Sequence, residues 1–393
     1  MRAITVLCDR LGDVGGAERY WETVLPALTA RQMTVRLLAR DVAAGAGYGV
    51  QPQTIRWADE HGLPSSEAAR AVADDLVNHP PDMVITASVF DTAVLDAVRR
   101  HAPRWLVRLH DHRAFCPTGD RVYPQFEAPC SAPMGAACRG AAVVRGCVHG
   151  PRPASFRRIR AREAVRERIS RADGVLVSSE HMRATCAANG IPRSRVAVTP
   201  PPLPDAAFAL APALRPRAHA LVFAARLTPR KGLTSLLRAL AKISPHERPR
   251  LIVAGEGEDE ERDARALAAR DGVDVEWRGR LTTAALRDAI DEADAVALPS
   301  LWPEPFGLVG IEAQARGRPA VAYRVGAIGE WIAGAGIAVN RGDEQALASA
   351  IRTILEDRTW RELSSVAFAR AQTYRLDAHV ERLLGLFEGT PCT

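Results

Sequence analysis

Two glutamates eight residues apart are the side chains whose spacing in this sequence points most directly to chemistry. Glu304 and Glu312 enclose the segment Pro-Phe-Gly-Leu-Val-Gly-Ile, and the apolar run Ala-Val-Ala-Leu-Pro-Ser at residues 295–300 precedes them. This pattern predicts a buried strand, a loop and the start of a helix, so both carboxylates follow a strand end, where open α/β sheets bind ligands. Carboxylates bind sugar hydroxyls, and a helix N-terminus favours phosphate. We therefore predict a nucleotide-sugar site.

Each glutamate also has a purely structural interpretation. Taken alone, Glu304 is explained as an acid near a helix start, which the helix dipole favours. That interpretation is weak for Glu312, because its neighbours Ile311, Ala313 and Ala315 predict a buried helix. A buried acid needs a partner, so Glu312 favours the functional interpretation.

Two cations five residues apart form a second candidate pair. Arg226 and Lys231 lie in Phe-Ala-Ala-Arg-Leu-Thr-Pro-Arg-Lys-Gly, which follows an apolar run at residues 221–224. Arginine can grip a diphosphate bidentately, and lysine acts as a point charge. A solvated basic loop is the alternative, and it suits Arg230. Lys231 and Lys242 are the two lysines of a chain with 52 basic residues, so a lysine here favours a specific role.

Glycines mark three further strand-to-helix turns. Gly15 and Gly16 follow the first apolar run, Gly255 lies in Ala-Gly-Glu-Gly, and residues 326–330 read Gly-Ala-Ile-Gly-Glu. Glycines at such turns let backbone N–H groups approach a phosphate, although each turn also has a packing explanation. None of the turns has the Gly-x-Gly-x-x-Gly spacing, so we predict no nicotinamide site.

Two histidines flank an acid after another apolar run. His110, Asp111 and His112 follow residues 105–109, Trp-Leu-Val-Arg-Leu. The strand end directs His110 toward the predicted site, so we expect it to contact the sugar or the acceptor. A metal site formed by the three residues would need another ligand.

The elements that position these residues alternate between strands and helices, which predicts parallel sheets in an α/β fold. The predicted strands are residues 4–7, 35–38, 83–86, 105–109, 175–177, 196–198, 221–224, 251–253, 273–277, 295–298, 320–323 and 337–339. The proline-rich stretch at residues 199–204 predicts a linker, and alanine-rich sequence follows it to Pro216. We expect two Rossmann-like domains facing a cleft, at residues 1–204 and 205–372, followed by a terminal helix within 373–393.

Composition excludes several classes of protein. With 393 residues, 47% hydrophobic and 25% charged, the chain suits a globular protein of two domains. The sequence contains no run of eighteen apolar residues, so we predict no membrane span. The first residues predict a strand rather than a signal peptide, so we expect a cytoplasmic protein. The net charge is +6. Residues 151–171 alone hold eight Arg and two Glu, which also gives +6, so no broad basic face predicts nucleic-acid binding.

The same basic segment leaves two interpretations open. Residues 152–171 contain Phe156, Ile159, Val165 and Ile169 among the arginines, which is typical of a basic amphipathic helix. Such a helix would rest on anionic lipid headgroups at the inner face of a membrane, or it is a solvated helix at the rim of the cleft.

Four cysteines lie in a Gly/Pro-rich stretch, residues 113–150, for which we expect little secondary structure. Cys116, Cys130, Cys138 and Cys147 lack a Cys-x-x-Cys pair. In a cytoplasmic enzyme a structural Zn²⁺ is the first interpretation, followed by disulfides or free thiols and then an iron–sulfur cluster. The remaining three cysteines, Cys8, Cys186 and Cys392, have no assigned role.

The order of these motifs resembles the retaining glycosyltransferases of family four, which have the GT-B fold, and the resemblance covers essentially the whole second domain. It implies that Glu304 holds hydroxyls of the donor sugar, that Glu312 holds the ribose, and that the terminal helix packs back on the first domain. It also implies that Arg226 and Lys231 bind the diphosphate and stabilise the leaving group without a metal cofactor. The other donor-binding positions that it implies are Gly15, Gly16, Gly255, Arg280, Leu281, Phe306, Gly307 and Leu308.

The implied reaction is transfer of a sugar from a nucleoside diphosphate to a hydroxyl acceptor, with positioning and electrostatics supplied by the protein. A GT-B nucleotide-sugar epimerase would use the same site without an acceptor. A non-catalytic nucleotide-sugar-binding partner is the alternative from another class. The donor base, the sugar and the acceptor stay open.

Overall fold

The computed structural model describes residues 2–12, 15–42, 47–59, 62–124, 128–148, 150–209 and 218–389. These residues form two compact units. Unit 1 consists of residues 1–202 and 376–393, and unit 2 consists of residues 203–375. The predicted linker at residues 199–204 therefore contains the boundary, whereas the alanine-rich sequence at residues 210–217 lies outside the described residues.

Unit 1 is built on a parallel sheet. Its strands run in the spatial order β3-β2-β1-β4-β5-β6-β7, and β4 and β5 are buried along their whole length. Continuous burial explains why these strands read as unbroken apolar runs rather than as alternating patterns. The strands are β1 Ala3–Leu11, β2 Thr34–Val42, β3 Pro52–Thr54, β4 Met83–Ala87, β5 Trp105–Leu109, β6 Gly174–Val177 and β7 Val196–Val198.

Helices follow most strands of unit 1, and several begin at side-chain caps. Asp91 accepts hydrogen bonds from the N–H groups of Ala93 and Val94, and Ser179 accepts one from Met182. Each cap satisfies donors that have no partner within the helix. The helices are α1 Gly16–Ala30, α2 Ser66–Asn78, α3 Thr92–His101, α4 Ala136–Arg145, α5 Arg152–Ile169 and α6 Glu180–Ala188.

Unit 2 has a second parallel sheet, with the order β10-β9-β8-β11-β12-β13. Because β8 pairs with β11, the loops that follow these two strands lie at neighbouring places on one sheet edge. The strands are β8 Ala220–Ala224, β9 Arg250–Ala254, β10 Val275–Gly279, β11 Ala295–Leu298, β12 Ala320–Tyr323 and β13 Gly336–Val339. The helices are α7 Leu233–Ala241, α8 Glu258–Asp271, α9 Thr283–Glu292, α10 Leu308–Gln314, α11 Ile328–Ile332, α12 Glu344–Ile354 and α13 Asp357–Ala371.

The last helix, α14 Leu376–Phe387, belongs to unit 1. Its apolar residues Val380, Leu383, Leu386 and Phe387 are buried in one cluster with residues of α1 and β1. This burial explains the apolar spacing of the C-terminal sequence. Among the described residues, no helix combines the length and the apolar character needed to cross a membrane.

All twelve predicted strands are present, with three differences from the expectation. The strand expected at residues 273–277 is β10 Val275–Gly279, and β3 is an additional edge strand that begins at Pro52. The stretch at residues 113–150 contains α4, so the expectation of little secondary structure there is wrong. Its sequence, Ala-Ala-Cys-Arg-Gly-Ala-Ala-Val-Val-Arg, is rich in alanine, which has the highest helix propensity.

Candidate active site

An ion pair joins the first glutamate, which is buried, to the predicted diphosphate lysine, which is half-buried. The Nζ atom of Lys231 lies 2.7 Å from Oε1 of Glu304, and the Ser300 hydroxyl donates to the same oxygen at 2.6 Å. Lys231 ends a short 3-10 turn after β8, and Glu304 follows β11. Adjacent strands therefore bring together two residues that lie far apart in the sequence.

Glu304 is 4% exposed, and its charge is nevertheless retained. Burial acts to raise its pKa, but the Lys231 ammonium and hydrogen bonds from Lys231, Ser300 and Trp302 outweigh burial and hold the pKa below its ordinary value. Glu304 precedes α10 and is paired and buried, so the interpretation as an ordinary helix-start acid is wrong. The pair places a carboxylate and an amino group together beyond the carboxyl ends of two neighbouring strands, β8 and β11.

Backbone packing places Arg226 beside this edge. A Cβ atom on Gly255 would lie 1.8 Å from the carbonyl oxygen of Ala225, and one on Gly257 would lie 1.9 Å from that of Leu227. The Leu227 N–H also donates to the Glu256 carbonyl at 2.8 Å. The glycines of this turn thus make room for the loop that carries Arg226, whose side chain is exposed.

The segment between the two glutamates, residues 304–312 (the glutamate segment), has a buried start and a half-buried end. Phe306 is 6% exposed, Gly307 is the N-cap of α10, and Leu308 and Glu312 are half-buried on that helix. The two carboxylates therefore occupy different surroundings. After β10, Arg280 is exposed and Leu281 packs against the core of unit 2.

In unit 1, His110 follows β5 and lies among aromatic rings. Its ring centroid is 5.3 Å from that of Tyr20 and 6.2 Å from that of Trp21. Burial, together with the positive charges of Arg108 and Arg113, holds its pKa well below the ordinary value. The imidazole is therefore neutral, and its buried Nε2 atom has no hydrogen-bond partner among the described residues.

Arg108, Tyr20 and His379 form a group of contacts around the Tyr20 ring, which also faces His110, and the sequence did not predict them as site residues. Arg108 is 1% exposed, lies 4.3 Å over the Tyr20 ring and donates to the carbonyl and hydroxyl oxygens of Thr199. The Tyr20 hydroxyl lies 3.0 Å from Nε2 of His379 on α14. An arginine inside the apolar run of β5 was the available signal, because a buried charge needs compensating partners.

Asp111 and His112 do not join His110 in a metal site. The Asp111 carboxylate accepts from the backbone and side chain of Arg113, each at 2.8 Å. The His112 ring is fully buried and stacks edge-on against His181 at 5.5 Å. His110 therefore contacts α1, whereas His112 contacts α6.

Gly15 and Gly16 begin α1, with Gly15 as an N-cap that provides no side-chain hydrogen bond. A Cβ atom on Gly15 would come within 3.3 Å of a Glu18 carboxylate oxygen, so the Glu18 side chain lies beside the helix start. The preceding residues 13–14 lie outside the described residues.

Two family models match this chain in succession. Residues 14–206 match the model described as Glycosyltransferase Family 4, and residues 218–357 match the model described as Glycosyl transferases group 1. Together the two models span most of both units. The chain is a GT-B glycosyltransferase. Its two parallel-sheet domains have the architecture of solved GT-B structures, such as that of Anabaena Alr3699/HepE in complex with UDP. That neighbour has a TM-score of 0.71 and 20% identity, over 99% of this chain and 100% of its own.

Curated relatives of this glycosyltransferase differ in the extent of the match. A glycogen synthase of Mycobacterium tuberculosis is 35% identical over 146 residues, which is 35% of this chain and 34% of the relative. A D-inositol 3-phosphate glycosyltransferase of Kineococcus radiotolerans is 28% identical over 413 residues, which is 96% of this chain and 91% of the relative. The first match thus spans about a third of the relative, whereas the second spans nearly all of it.

Four cysteines of unit 1 lie near one another, and we call the segment that carries them, residues 113–150, the cysteine lobe. They are Cys116, Cys130, Cys138 and Cys147. The pKa of Cys138 rises to about 12 because the thiol is buried and because the thiols of Cys116, Cys147 and Cys130 lie near it. Cys138 and Cys147 also pack against one apolar cluster, and neither forms a disulfide. In the described part of the chain, no three His, Cys, Asp or Glu side chains have the spacing of a metal site, so structural zinc stays a prediction.

The basic helix α5 uses its apolar residues inside unit 1. Ile159, Val165 and Ile169 are buried, whereas Arg152, Arg157 and Arg160 are exposed. The apolar face expected to rest on lipid is therefore occupied by the protein core. Peripheral contact with a membrane stays a prediction, and it would depend on the arginines.

Proposed function

We propose that this glycosyltransferase is a retaining enzyme that moves a sugar from a nucleoside-diphosphate sugar to a hydroxyl acceptor. The observation that carries the proposal is the ion pair of Lys231 and Glu304 beyond the carboxyl ends of β8 and β11, with Arg226 also following β8. A diphosphate needs cations, and a sugar needs hydrogen-bond acceptors. The arrangement supplies both.

Arg226 and Lys231 bind the diphosphate and stabilise the negative charge that develops on it as the glycosidic bond breaks. The acceptor hydroxyl attacks the anomeric carbon on the face from which the diphosphate leaves, and the departing phosphate takes the hydroxyl proton. The protein provides no nucleophile, and its contribution is positioning and electrostatic stabilisation.

Glu304 has a double role in this proposal. An ionised carboxylate has about four acceptor positions, so its bonds from Lys231 and Ser300 leave capacity for a sugar hydroxyl. The same carboxylate holds the Lys231 ammonium in place. Glu312 on α10 binds the ribose, and the neutral imidazole of His110 binds a hydroxyl of the sugar or acceptor.

We propose UDP as the nucleotide and a phosphorylated polyol as the first acceptor class to test. The structural neighbour with UDP bound supports the first choice. The relative named for inositol 3-phosphate, which matches over nearly its full length, supports the second. A glucan is the competing acceptor, in line with the relative named glycogen synthase.

Calorimetric titration with UDP, GDP, ADP and dTDP tests the donor site directly. We expect one nucleotide to bind, and Lys231→Ala to weaken its binding at least about tenfold, because the diphosphate loses a charge-assisted contact. Lys242→Ala is the matched control, because Lys242 is the second lysine of the chain and is exposed at the end of α7. Equal affinities in the two variants would contradict the site assignment.

Product analysis then separates transfer from epimerisation. The protein is incubated with the bound donor, first alone and then with inositol 3-phosphate or glycogen, and proton NMR follows the anomeric signals. We expect a new glycoside with the anomeric configuration of the donor, formed only with acceptor. Inverted configuration would contradict retention, and a changed donor sugar without acceptor would identify an epimerase.

A further inference from the structure

Trp331 is a fully buried residue of α11 that no motif singled out. Its indole Nε1 donates to the carbonyl oxygen of Phe306 at 2.6 Å, and its own carbonyl oxygen accepts from the Gln314 side chain at 3.0 Å. One residue thus holds the start of the glutamate segment and the end of α10. Both partners are themselves buried.

The indole also defines the space available to the segment. A Cβ atom on Gly310 would lie 2.1 Å from Cη2 of Trp331. Two carbon atoms that are not bonded cannot approach so closely in a packed core. The ring therefore lies against the backbone at Gly310, two residues before Glu312. This contact explains the glycine inside the segment by close packing rather than by a ligand.

A second contact comes from the turn that leads into α11. A Cβ atom on Gly326 would lie 2.2 Å from the carbonyl oxygen of Glu304, and the Ala327 N–H donates to that same oxygen at 2.9 Å. Residues 325–332, which we call the buttress, hence hold the glutamate segment at Glu304, Phe306 and Gly310.

The glutamate segment depends on such support because α10 has seven residues. Helices that short are not stable by themselves, and packing must supply their position. A displacement of about 1 Å at a reacting centre costs about a hundredfold in rate, so the place of Glu304 and Glu312 matters for turnover.

We propose that Trp331 is a positioning residue that fixes the glutamate segment for donor binding, through its hydrogen bond to Phe306 and its packing on Gly310. The effect on donor binding rests on the function proposed above, whereas the effect on the segment itself does not. Trp331 acts through the backbone and is not placed in contact with the donor.

Replacing Trp331 by phenylalanine tests the proposal, and Trp360 offers a matched control. Trp360 is 3% exposed, and its Nε1 donates to the Asp294 carbonyl at 2.7 Å. Asp294 precedes β11 at its amino end, whereas the glutamates follow the carboxyl end of that strand. Trp331→Phe and Trp360→Phe remove the same group from equally buried places, so a general loss of stability affects both.

Hydrogen exchange of backbone amides is the readout that needs no ligand. We expect amides at residues 306–312 to exchange at least about tenfold faster in Trp331→Phe than in wild type, because the local opening becomes easier. We expect no such change at these amides in Trp360→Phe. Equal exchange at these amides in the two variants would overturn the proposal.

Donor kinetics form the second readout. For UDP and UDP-glucose we expect Trp331→Phe to raise KM or Kd about tenfold, and Trp360→Phe to change them less than twofold. Faster amide exchange in Trp331→Phe, with no nucleotide bound by wild type, would support the role of Trp331 in holding the glutamate segment. It would refute the proposed function instead. Unchanged exchange with normal nucleotide binding would refute the buttress alone.

A compensating pair of substitutions keeps the test valid where a single variant folds poorly. Gly310→Ala places a methyl group against the indole, and Trp331→Leu removes the ring that it meets. We expect the double variant to have a higher Tm than Gly310→Ala, since contacting residues are not additive. A double variant whose Tm loss equals the sum of the single losses would show that the two residues are not coupled.

Discussion

Glu304 in unit 2 and Arg108 in unit 1 are both buried charges beside candidate site residues, but their compensation differs. Glu304 faces the Lys231 ammonium at 2.7 Å, whereas Arg108 lies over the Tyr20 ring and donates to Thr199. In unit 2 the ion pair keeps the buried Glu304 carboxylate charged. In unit 1 the neighbouring imidazoles stay neutral, because burial and, to a lesser extent, the Arg108 charge lower the pKa values of His110 and His379. The comparison predicts that unit 2 loses stability when one charge of its ion pair is removed, whereas unit 1 loses stability at low pH.

The largest effect is expected from breaking the ion pair. Lys231→Ala should lower turnover at least about a hundredfold, as the loss of a transition-state contact does. It should also lower the free energy of unfolding by about 3 kcal/mol, because Glu304 is left as an uncompensated buried charge. Urea unfolding and initial-rate measurements check both effects.

The double variant Lys231→Ala/Glu304→Gln separates these two effects. A neutral glutamine removes the uncompensated charge, so we expect stability to return to within about 1 kcal/mol of wild type while turnover stays low. If stability did not recover, the pair would not be the source of the loss. If turnover recovered, Lys231 would have no catalytic role.

His110 provides the corresponding test in unit 1. We expect His110→Phe to lower kcat/KM about tenfold, because a hydroxyl contact is lost. We expect His110→Gln to retain more activity, because its amide can also bind a hydroxyl. Since the pKa of His110 is well below its ordinary value, neither variant should change the pH profile between pH 6 and 8. A kinetic pKa near 6.5 that disappears in His110→Gln would contradict a neutral imidazole.

The cysteine lobe sharpens the comparison, because all seven cysteines lie outside residues 203–375. If the lobe binds structural zinc as predicted, the purified protein should contain about one zinc per chain, and Cys138→Ser should lower that content and the Tm of unit 1. Metal analysis and calorimetry measure both. Cys186→Ala, which changes a buried thiol of α6, is the control. Metal-free protein in which Cys116, Cys130, Cys138 and Cys147 all react with a thiol reagent would support the free-thiol interpretation.

The sequence predicts the strands well and their lateral contacts poorly. Apolar runs give all twelve predicted strands, because buried parallel strands are continuous in hydrophobicity. Edge strand β3 is missed because it has three residues, begins with Pro52 and is largely exposed, and proline is typical of edges. Spacing places Lys231 and Glu304 at strand ends, but their pairing depends on β8 lying beside β11, which is set by a crossover and not by local pattern.

The same limit applies to the residues around His110. Arg108 is visible within an apolar run, but its neighbours Tyr20 and His379 come from the first and last helices of the chain. Trp331 likewise belongs to a helix after β12 and contacts a segment after β11. Local patterns predict which residues begin or end an element. They do not predict which distant element buries them.

A further expected effect is the response of unit 1 to acid, through His379. Burial and the nearby Arg108 lower the pKa of His379 to about 3, so the folded state keeps this ring neutral. The unfolded chain takes up a proton near pH 6.5, hence stability is complete above that pH and falls as pH decreases toward 3. The expected loss approaches about 1.4 kcal/mol for each pH unit below 6.5. His379→Gln should reduce this slope in urea unfolding followed between pH 7 and 5. An unchanged slope would show that His379 is not buried as a neutral group, and that unit 1 owes any acid response to other residues.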